Sequence, residues 1–414
     1  MLNSIFFIAV AVLQHISGYQ GPSNRLTRHL LEQHERSAPP DGVVNITHEM
    51  ELVHIISIDE VRQVIRVLVY VVEQWDDPTL SWDPTNFSGL RFTWLPEDSI
   101  WIPDIIVFNM LNHQELLQSV RSPVRIEFNG RVTFSYPAIY SVMCRINVAK
   151  FPFDTQKCDL RIASWGYGEE KILLNASSKP FLQHYAANEE WALQEVGITQ
   201  DHYDHEGTVV SEAKYIVSIS RKPFYYLVSL VLPSYIICML SVGGLFARFS
   251  TKHERQERFT LGVTAILSMA VLSLVVTEKV PHSSEEVPLL IVYFHFNIVM
   301  VTLATTITSA VMRVHSKGFS SRLLPPPMWL LRYLYIRRAQ FTSIPNGNSA
   351  NAKRVMIAEQ WGAVSRRMDH LLALFFLATV SAPTMYLFLL CFSMDNSAQE
   401  RALLNGAREA TAKF

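Results

Sequence analysis

A chain of 414 residues is long enough for two domains. Its formal net charge of −1 points to no partner, and the sequence has no phosphate-binding glycine loop, zinc-ligand spacing or basic aromatic patch, which argues against a nucleic-acid binder. The 49% hydrophobic content is high because the apolar residues are clustered, so the average hides two solvents.

Residues 4–13 (SIFFIAVAVL) form an apolar run too short to cross a bilayer. It reads as a secretory signal peptide over residues 1–18, ending near Gly18, which places the next part of the chain outside the cytoplasm. Glycosylation sequons at Asn45, Asn86 and Asn175 all precede the first long apolar segment. From about Thr47 to Ser220 short alternating runs such as Val64 to Val71 are broken by proline, asparagine and glycine, the pattern of an antiparallel β-sandwich within an extracellular domain over 19–222. Cys144 and Cys158, the only cysteine pair at a plausible bridging spacing, enclose thirteen residues that include Phe151-Pro152-Phe153-Asp154. A disulfide closing so short a loop is worth roughly 3 kcal/mol, and Pro152 favours a rigid turn.

Residues 224–247, 259–276, 287–311 and 371–393 are apolar over about the length that crosses a hydrocarbon core of roughly 30 Å. Pro233 in the first of them is tolerable in a packed bundle, where neighbours satisfy the freed carbonyl. Three spans therefore fall within 223–311, a cytoplasmic segment over 312–370, the fourth span over 371–393 and a tail over 394–414. The 312–370 segment carries ten Lys and Arg against Glu359 and Asp369, so it lies inside the cell, and both termini lie outside. It opens with Pro325-Pro326-Pro327 and a Gly/Asn-rich stretch, then turns helix-like from about Ala352 to Arg367, which predicts a mostly mobile loop with one amphipathic helix. Cys238 and Cys391 fall in spans, as small hydrophobes.

The second span carries the mechanistic signal. Glu257, Thr260, Thr264, Leu267, Val271, Leu274 and Glu278 recur at steps of three and four, so they share one helix face that runs acid, hydroxyl, hydroxyl, apolar, apolar, apolar, acid. The two glutamates stand about 31 Å apart at 1.5 Å per residue, near opposite membrane surfaces. Facing lipid, the hydroxyls and carboxylates would meet hydrocarbon; around a shared axis they line a pore. Glu257 and Glu278 then form cation-attracting rings, Thr260 and Thr264 replace part of an ion's hydration, and Leu267 and Val271 form an apolar gate. The bland alternative is that both glutamates are ordinary interfacial residues.

The cysteine loop with FPFD, "SIDEVRQVI" at Ser57, "WDDPTLSW" at Trp75, "WIPD" at Trp101 and "RKPFYY" at Arg221, followed by four spans, resemble a pentameric Cys-loop receptor subunit, nearest the nicotinic acetylcholine receptor group, over nearly the whole chain. The resemblance implies a β-sandwich followed by a four-helix transmembrane bundle, five subunits around a pore, and a postsynaptic plasma-membrane location. It also implies identical or homologous subunits, a small-molecule agonist (acetylcholine or a related amine), permeant cations and membrane lipid as partners, with no cofactor. Glu257 stands where the cation-selective branch carries its inner acidic ring, and the Pro-Ala insertion of the anion-selective branch is missing.

The family's aromatic agonist box is only partly matched. Trp165 in "ASWGYG" matches its central tryptophan, Phe108 replaces a usual tyrosine, and Tyr70 replaces a usual tryptophan on the complementary face, where Thr133 and Ser135 also fall. The segment Gly197 to Tyr215 lacks the adjacent cysteines of acetylcholine-binding alpha subunits and offers Tyr203 alone, so a non-alpha role is expected. Packing of Trp165 and Phe108 in the sandwich is the alternative. Asp201, His202, Asp204 and His205 in that segment admit a proton or metal sensor, or a plain exposed loop. The resemblance assigns coupling between agonist site and pore to Asp59, Glu60, Phe151, Pro152, Phe153, Asp154, Arg221, Lys279 and Pro281, with a static membrane anchor as the other reading of Arg221. No nucleophile, base and orienting group suggest an enzyme. A channel subunit is the main expectation; an accessory subunit of a hetero-pentamer, or a channel gated by another amine or by protons, is the alternative.

Overall fold

The computed structural model describes residues 21–114, 122–177, 182–205, 207–247, 254–279, 286–317, 325–334, 350–394 and 396–411. The signal-peptide residues and Pro281 lie outside them, as does the side chain of Lys279. The chain divides into two units, the first comprising residues 1–146, 155–220 and 396–414, the second 147–154 and 221–395.

The first unit is a β-sandwich. Its described residues start with a helix that the sequence pattern did not announce, α1 (Pro22–Gln33), which buries Leu26 and Leu30. Eleven strands come next among the described residues: β1 (Val44–Asp59), β2 (Val64–Asp76), β3 (Phe92–Leu95), β4 (Ile105–Val107), β5 (Met110–Gln114), β6 (Val124–Glu127), β7 (Arg131–Met143), β8 (Thr155–Ser164), β9 (Ile172–Ala176), β10 (Trp191–His205) and β11 (Thr208–Arg221). One sheet runs β3-β6-β7-β2-β1-β9 with β5 added to β7; the other runs β10-β11-β8-β4. The alternation in β2 explains its place: Ile65, Val67, Val69, Val71 and Trp75 face inward and are buried, while Tyr70 and Asp76 face out. Glu73 occupies the same inward row. Cys144 and Cys158 are bonded, with Cα atoms 5.1 Å apart. Asn45, Asn86 and Asn175 are all exposed.

A last helix, α7 (Asn396–Thr411), belongs to this unit although it comes after the fourth span in sequence. It packs on β10 and inserts the Glu400 carboxylate, 4% exposed, which accepts the Leu193 backbone N–H at 3.1 Å and the Tyr185 hydroxyl at 3.4 Å. The tail expected over 394–414 therefore contains a docked helix.

Among its described residues the second unit holds four helices long and apolar enough to span a membrane. The first, α2 (Phe224–Phe246), contains a five-residue π turn at Leu227–Val231, which ends two residues before Pro233. That widened turn, with the Ser234 hydroxyl donating to the Val231 carbonyl at 2.7 Å, accommodates the missing proline N–H. The second and third, α3 (Glu254–Lys279) and α4 (Leu289–Lys317), meet closely at Gly262, where a Cβ would collide with the Thr305 side chain. A short helix, α5 (Met328–Tyr333), comes after them. The fourth, α6 (Ala350–Ser393), is one continuous helix of 44 residues, in which the helical run expected from about Ala352 to Arg367 passes without a break into the fourth span. At 1.5 Å per residue it extends about 66 Å, twice a hydrocarbon core. Its buried stripe continues from Trp361 and Val364 into Phe376, Val380 and Leu387.

Candidate functional site

The seven polar and apolar residues of the second span form one uncovered face of α3. Glu257, Thr260, Thr264 and Glu278 are exposed, and Leu267, Val271 and Leu274 are 64%, 55% and 62% exposed. The opposite face, with Gly262, Ala265, Met269 and Val276, is buried against the other helices. Thr264 turns its hydroxyl to the Thr260 carbonyl at 2.8 Å. A continuous face of this kind, apolar in the middle and acidic at both ends, is left open by the subunit's own packing.

In the sandwich, Phe108 lies 5.7 Å from Trp165 and 6.3 Å from Tyr203, centroid to centroid. The three therefore form one aromatic group, and Trp165, 72% exposed, is not a packing residue. The WIPD motif explains its presentation. Asp104 accepts the Ser164 hydroxyl and the Gly166 N–H, both at 2.6 Å, and so fixes the turn that lifts Trp165 outward.

Beside this trio lie charges that sequence reasoning missed. Arg161 on β8 stands directly across from Lys214 on β11, an unfavourable like-charge pairing. Glu212, fully buried, resolves it by accepting from Arg161 Nε at 2.6 Å and pairing with Lys214 Nζ at 3.0 Å. The hydrogen bond to Glu212 raises the Arg161 pKa, and Lys214 in turn holds the Asp201 carboxyl below the usual carboxylate range. His202 pairs with Glu169. Asp201 to His205 are therefore the end of strand β10, not a loop, and Asp201 has a cationic partner of its own in Lys214. Among the described residues no three His, Cys, Asp or Glu side chains gather with metal-binding geometry.

Tyr70, Thr133 and Ser135 share the outer surface of the paired strands β2 and β7, where Val72 pairs with Ser135 and Gln74 with Thr133. Tyr70, 42% exposed, has the His184 ring edge-on at 6.1 Å. This group and the aromatic trio sit on different sheets and do not meet within one chain.

Of the coupling residues, Arg221, Asp154 and Phe151 come together. Arg221 Nε donates to Asp154 Oδ1 at 2.9 Å and Nη2 to Oδ2 at 3.3 Å, while the guanidinium lies 4.8 Å above the Phe151 ring and 5.6 Å from that of Tyr226. Phe151 and Tyr226 touch edge-on at 5.0 Å. The peptide bond between Phe151 and Pro152 is cis, and Phe153 is buried. Ala149 accepts the Leu289 N–H at the head of α4 at 2.9 Å. Asp59 accepts the Arg62 N–H at 2.8 Å in the β1–β2 turn beside Glu60, within the other unit.

Comparison with known proteins agrees with this architecture. The neurotransmitter-gated ion-channel ligand binding domain profile matches residues 23–223, and the neurotransmitter-gated ion-channel transmembrane region profile matches residues 230–329. The chain belongs to the neurotransmitter-gated ion-channel family. Its relatives in that family include the proton-gated ion channel subunit pbo-6 of Caenorhabditis elegans, 61% identical over 401 residues, which cover 97% of this chain and 95% of the relative. They also include the acetylcholine receptor subunit alpha-type deg-3 of the same nematode, 32% identical over 76% of this chain and 58% of the relative. The neuronal acetylcholine receptor subunit alpha-3 of Mus musculus is 28% identical over 80% of this chain and 67% of the relative. The chain is thus a membrane-spanning, ligand-gated channel subunit with a Cys-loop disulfide and the fold its sequence led us to expect.

Proposed function

We propose that the protein is a subunit of a cation-selective, proton-gated pentameric channel in the plasma membrane, with both termini outside and α3 lining the pore. The observation that carries proton gating is the 61% identity, along 97% of the chain, to a relative named as a proton-gated ion channel subunit. Glu257 and Glu278 then concentrate cations at the two mouths, and Leu267 and Val271 close the path by dewetting. Arg221, Asp154 and Phe151 carry the movement of the ligand-binding domain toward the helices, while Tyr70, Thr133 and Ser135 present a complementary face to the neighbouring subunit.

The test is voltage-clamp recording from cells expressing this chain, alone and with related subunits, during steps of external pH and during application of acetylcholine, choline, betaine and biogenic amines. An inward, cation-carried current evoked by acid supports the reading. A current evoked by an amine and indifferent to pH overturns it.

A further inference from the structure

The inward row of β2 reads Ile65, Val67, Val69, Val71, Glu73, Trp75, so one carboxylate interrupts an otherwise apolar stripe. Glu73 is 2% exposed. Its Oε1 accepts the Tyr136 hydroxyl at 2.9 Å, and no cation pairs with it among the described residues. The groups facing it come from three strands. From β1, His48 is its direct cross-strand partner, with Glu49 beside it. From β7 come Tyr136 and Tyr140, and from β11 Tyr215. His48 is itself buried, with Nδ1 2.9 Å from the Tyr215 hydroxyl. Burial holds its imidazole down at about 4, so it is neutral near pH 7 and supplies no counter-charge. Burial pushes the Glu73 carboxyl up to about 7, with the Tyr136 hydrogen bond opposing the shift.

We propose that Glu73 is the proton-uptake site of the ligand-binding domain, and that its neutralisation is the event read by strands β2 and β7. Uptake stands on the cluster alone; its role in opening rests on the proton-gated reading above. The link to the subunit interface is built into the pleat. Inward Glu73 pairs with Phe134, and the flanking outward pairs, Val72 with Ser135 and Gln74 with Thr133, lie on the surface that carries Tyr70. Losing the charge inside these two strands alters the packing of Tyr136, whose neighbour Ser135 is on the complementary face.

Two measurements separate the parts. In difference infrared spectra of the purified full chain, the carboxylic-acid carbonyl band should grow as pH falls through neutrality, and Glu73→Gln should remove it; if the band is the same in wild type and variant, Glu73 is not the uptake site. In voltage clamp, Glu73→Gln should move the half-activating proton concentration about tenfold or more, or remove its pH dependence. Tyr136→Phe, which takes away the donor favouring the ionised form, should move activation to higher pH. An unmoved midpoint in both variants at normal surface density overturns the gating role. Should Glu73→Gln fail to reach the surface, Tyr136→Phe and Glu73→Asp decide it alone: midpoints unmoved in both overturn the role. If the wild type passes no acid-evoked current in any subunit combination, proton gating falls, and with it the role in opening, while the infrared band still decides uptake.

Discussion

Arg221 and Asp154 form a two-pronged ion pair in which neither side chain reaches solvent. The guanidinium also lies against the rings of Phe151 and Tyr226. Removing one partner leaves the other charge buried, at a cost of about 3–5 kcal/mol. Asp154→Asn and Arg221→Gln should each abolish acid-evoked current while surface labelling still detects the chain. Arg221→Lys should restore little, because a point charge reproduces neither the fork nor the ring stacking. Normal currents in Arg221→Gln would show that the pair only anchors the domain.

Glu257 is the acid expected at the cytoplasmic mouth. Glu257→Gln should lower single-channel conductance severalfold and shift the reversal potential toward lower cation selectivity in ion-substitution recordings. Unchanged values would remove Glu257 from the conduction path.

Leu267 projects from the middle of the open face of α3, 64% exposed within its own subunit. In a closed pore its neighbours would be copies of itself, a ring that water leaves. Leu267→Ser should hydrate that ring and give a standing current at resting pH, read as a raised holding current that external acid increases little.

Burial makes stability depend on pH through Glu73 and His48 with opposite signs. The Glu73 carboxyl is raised from 4.5 to about 7, so its contribution is fully present below about 4.5 and is lost as pH rises to about 7, a difference of about 3 kcal/mol at most. His48 is lowered from 6.5 to about 4, so its contribution is present above 6.5 and is lost as pH falls toward 4. Thermal unfolding of the detergent-solubilised chain should therefore show Glu73→Gln stabilised relative to wild type above pH 7, with the gap closing near pH 4.5. A gap that is constant with pH would mean that the carboxylate does not titrate in the folded state.

Glu400 supplies an acceptor to a strand 207 residues earlier in the sequence. Glu400→Ala should leave the buried Leu193 N–H without it and lower stability by about 1–3 kcal/mol. Glu400→Gln, which keeps an oxygen, should cost less. The check is the thermal midpoint alongside surface density.

Much of this is legible in the sequence where a period or a motif carries it. The steps of three and four in the second span place seven residues on one face whatever packs behind them, and the alternation of β2 and β7 fixes which side Tyr70 and Ser135 take. The features that escape sequence reasoning depend on register between distant strands. Nothing local announces that Arg161 falls opposite Lys214, that Glu212 pairs with both, or that Glu73 meets His48. The polar run at Asp201 resembles a loop when its charges are judged one at a time, whereas their partners, Glu169 and Lys214, lie on other segments. Helix α7 escapes because it is polar on average and, among the described residues, the side chain it buries most deeply is a carboxylate.

The Glu400 contact also orders events during biosynthesis. Strand β10 emerges from the ribosome some two hundred residues before the acceptor that completes it, and all four spans must be made in between. The Leu193 N–H therefore gains this acceptor only after the residues of the fourth span have been made. A copy that stops before Glu400 leaves the buried Leu193 N–H of β10 without this acceptor, so one contact reports that the last helix has been made.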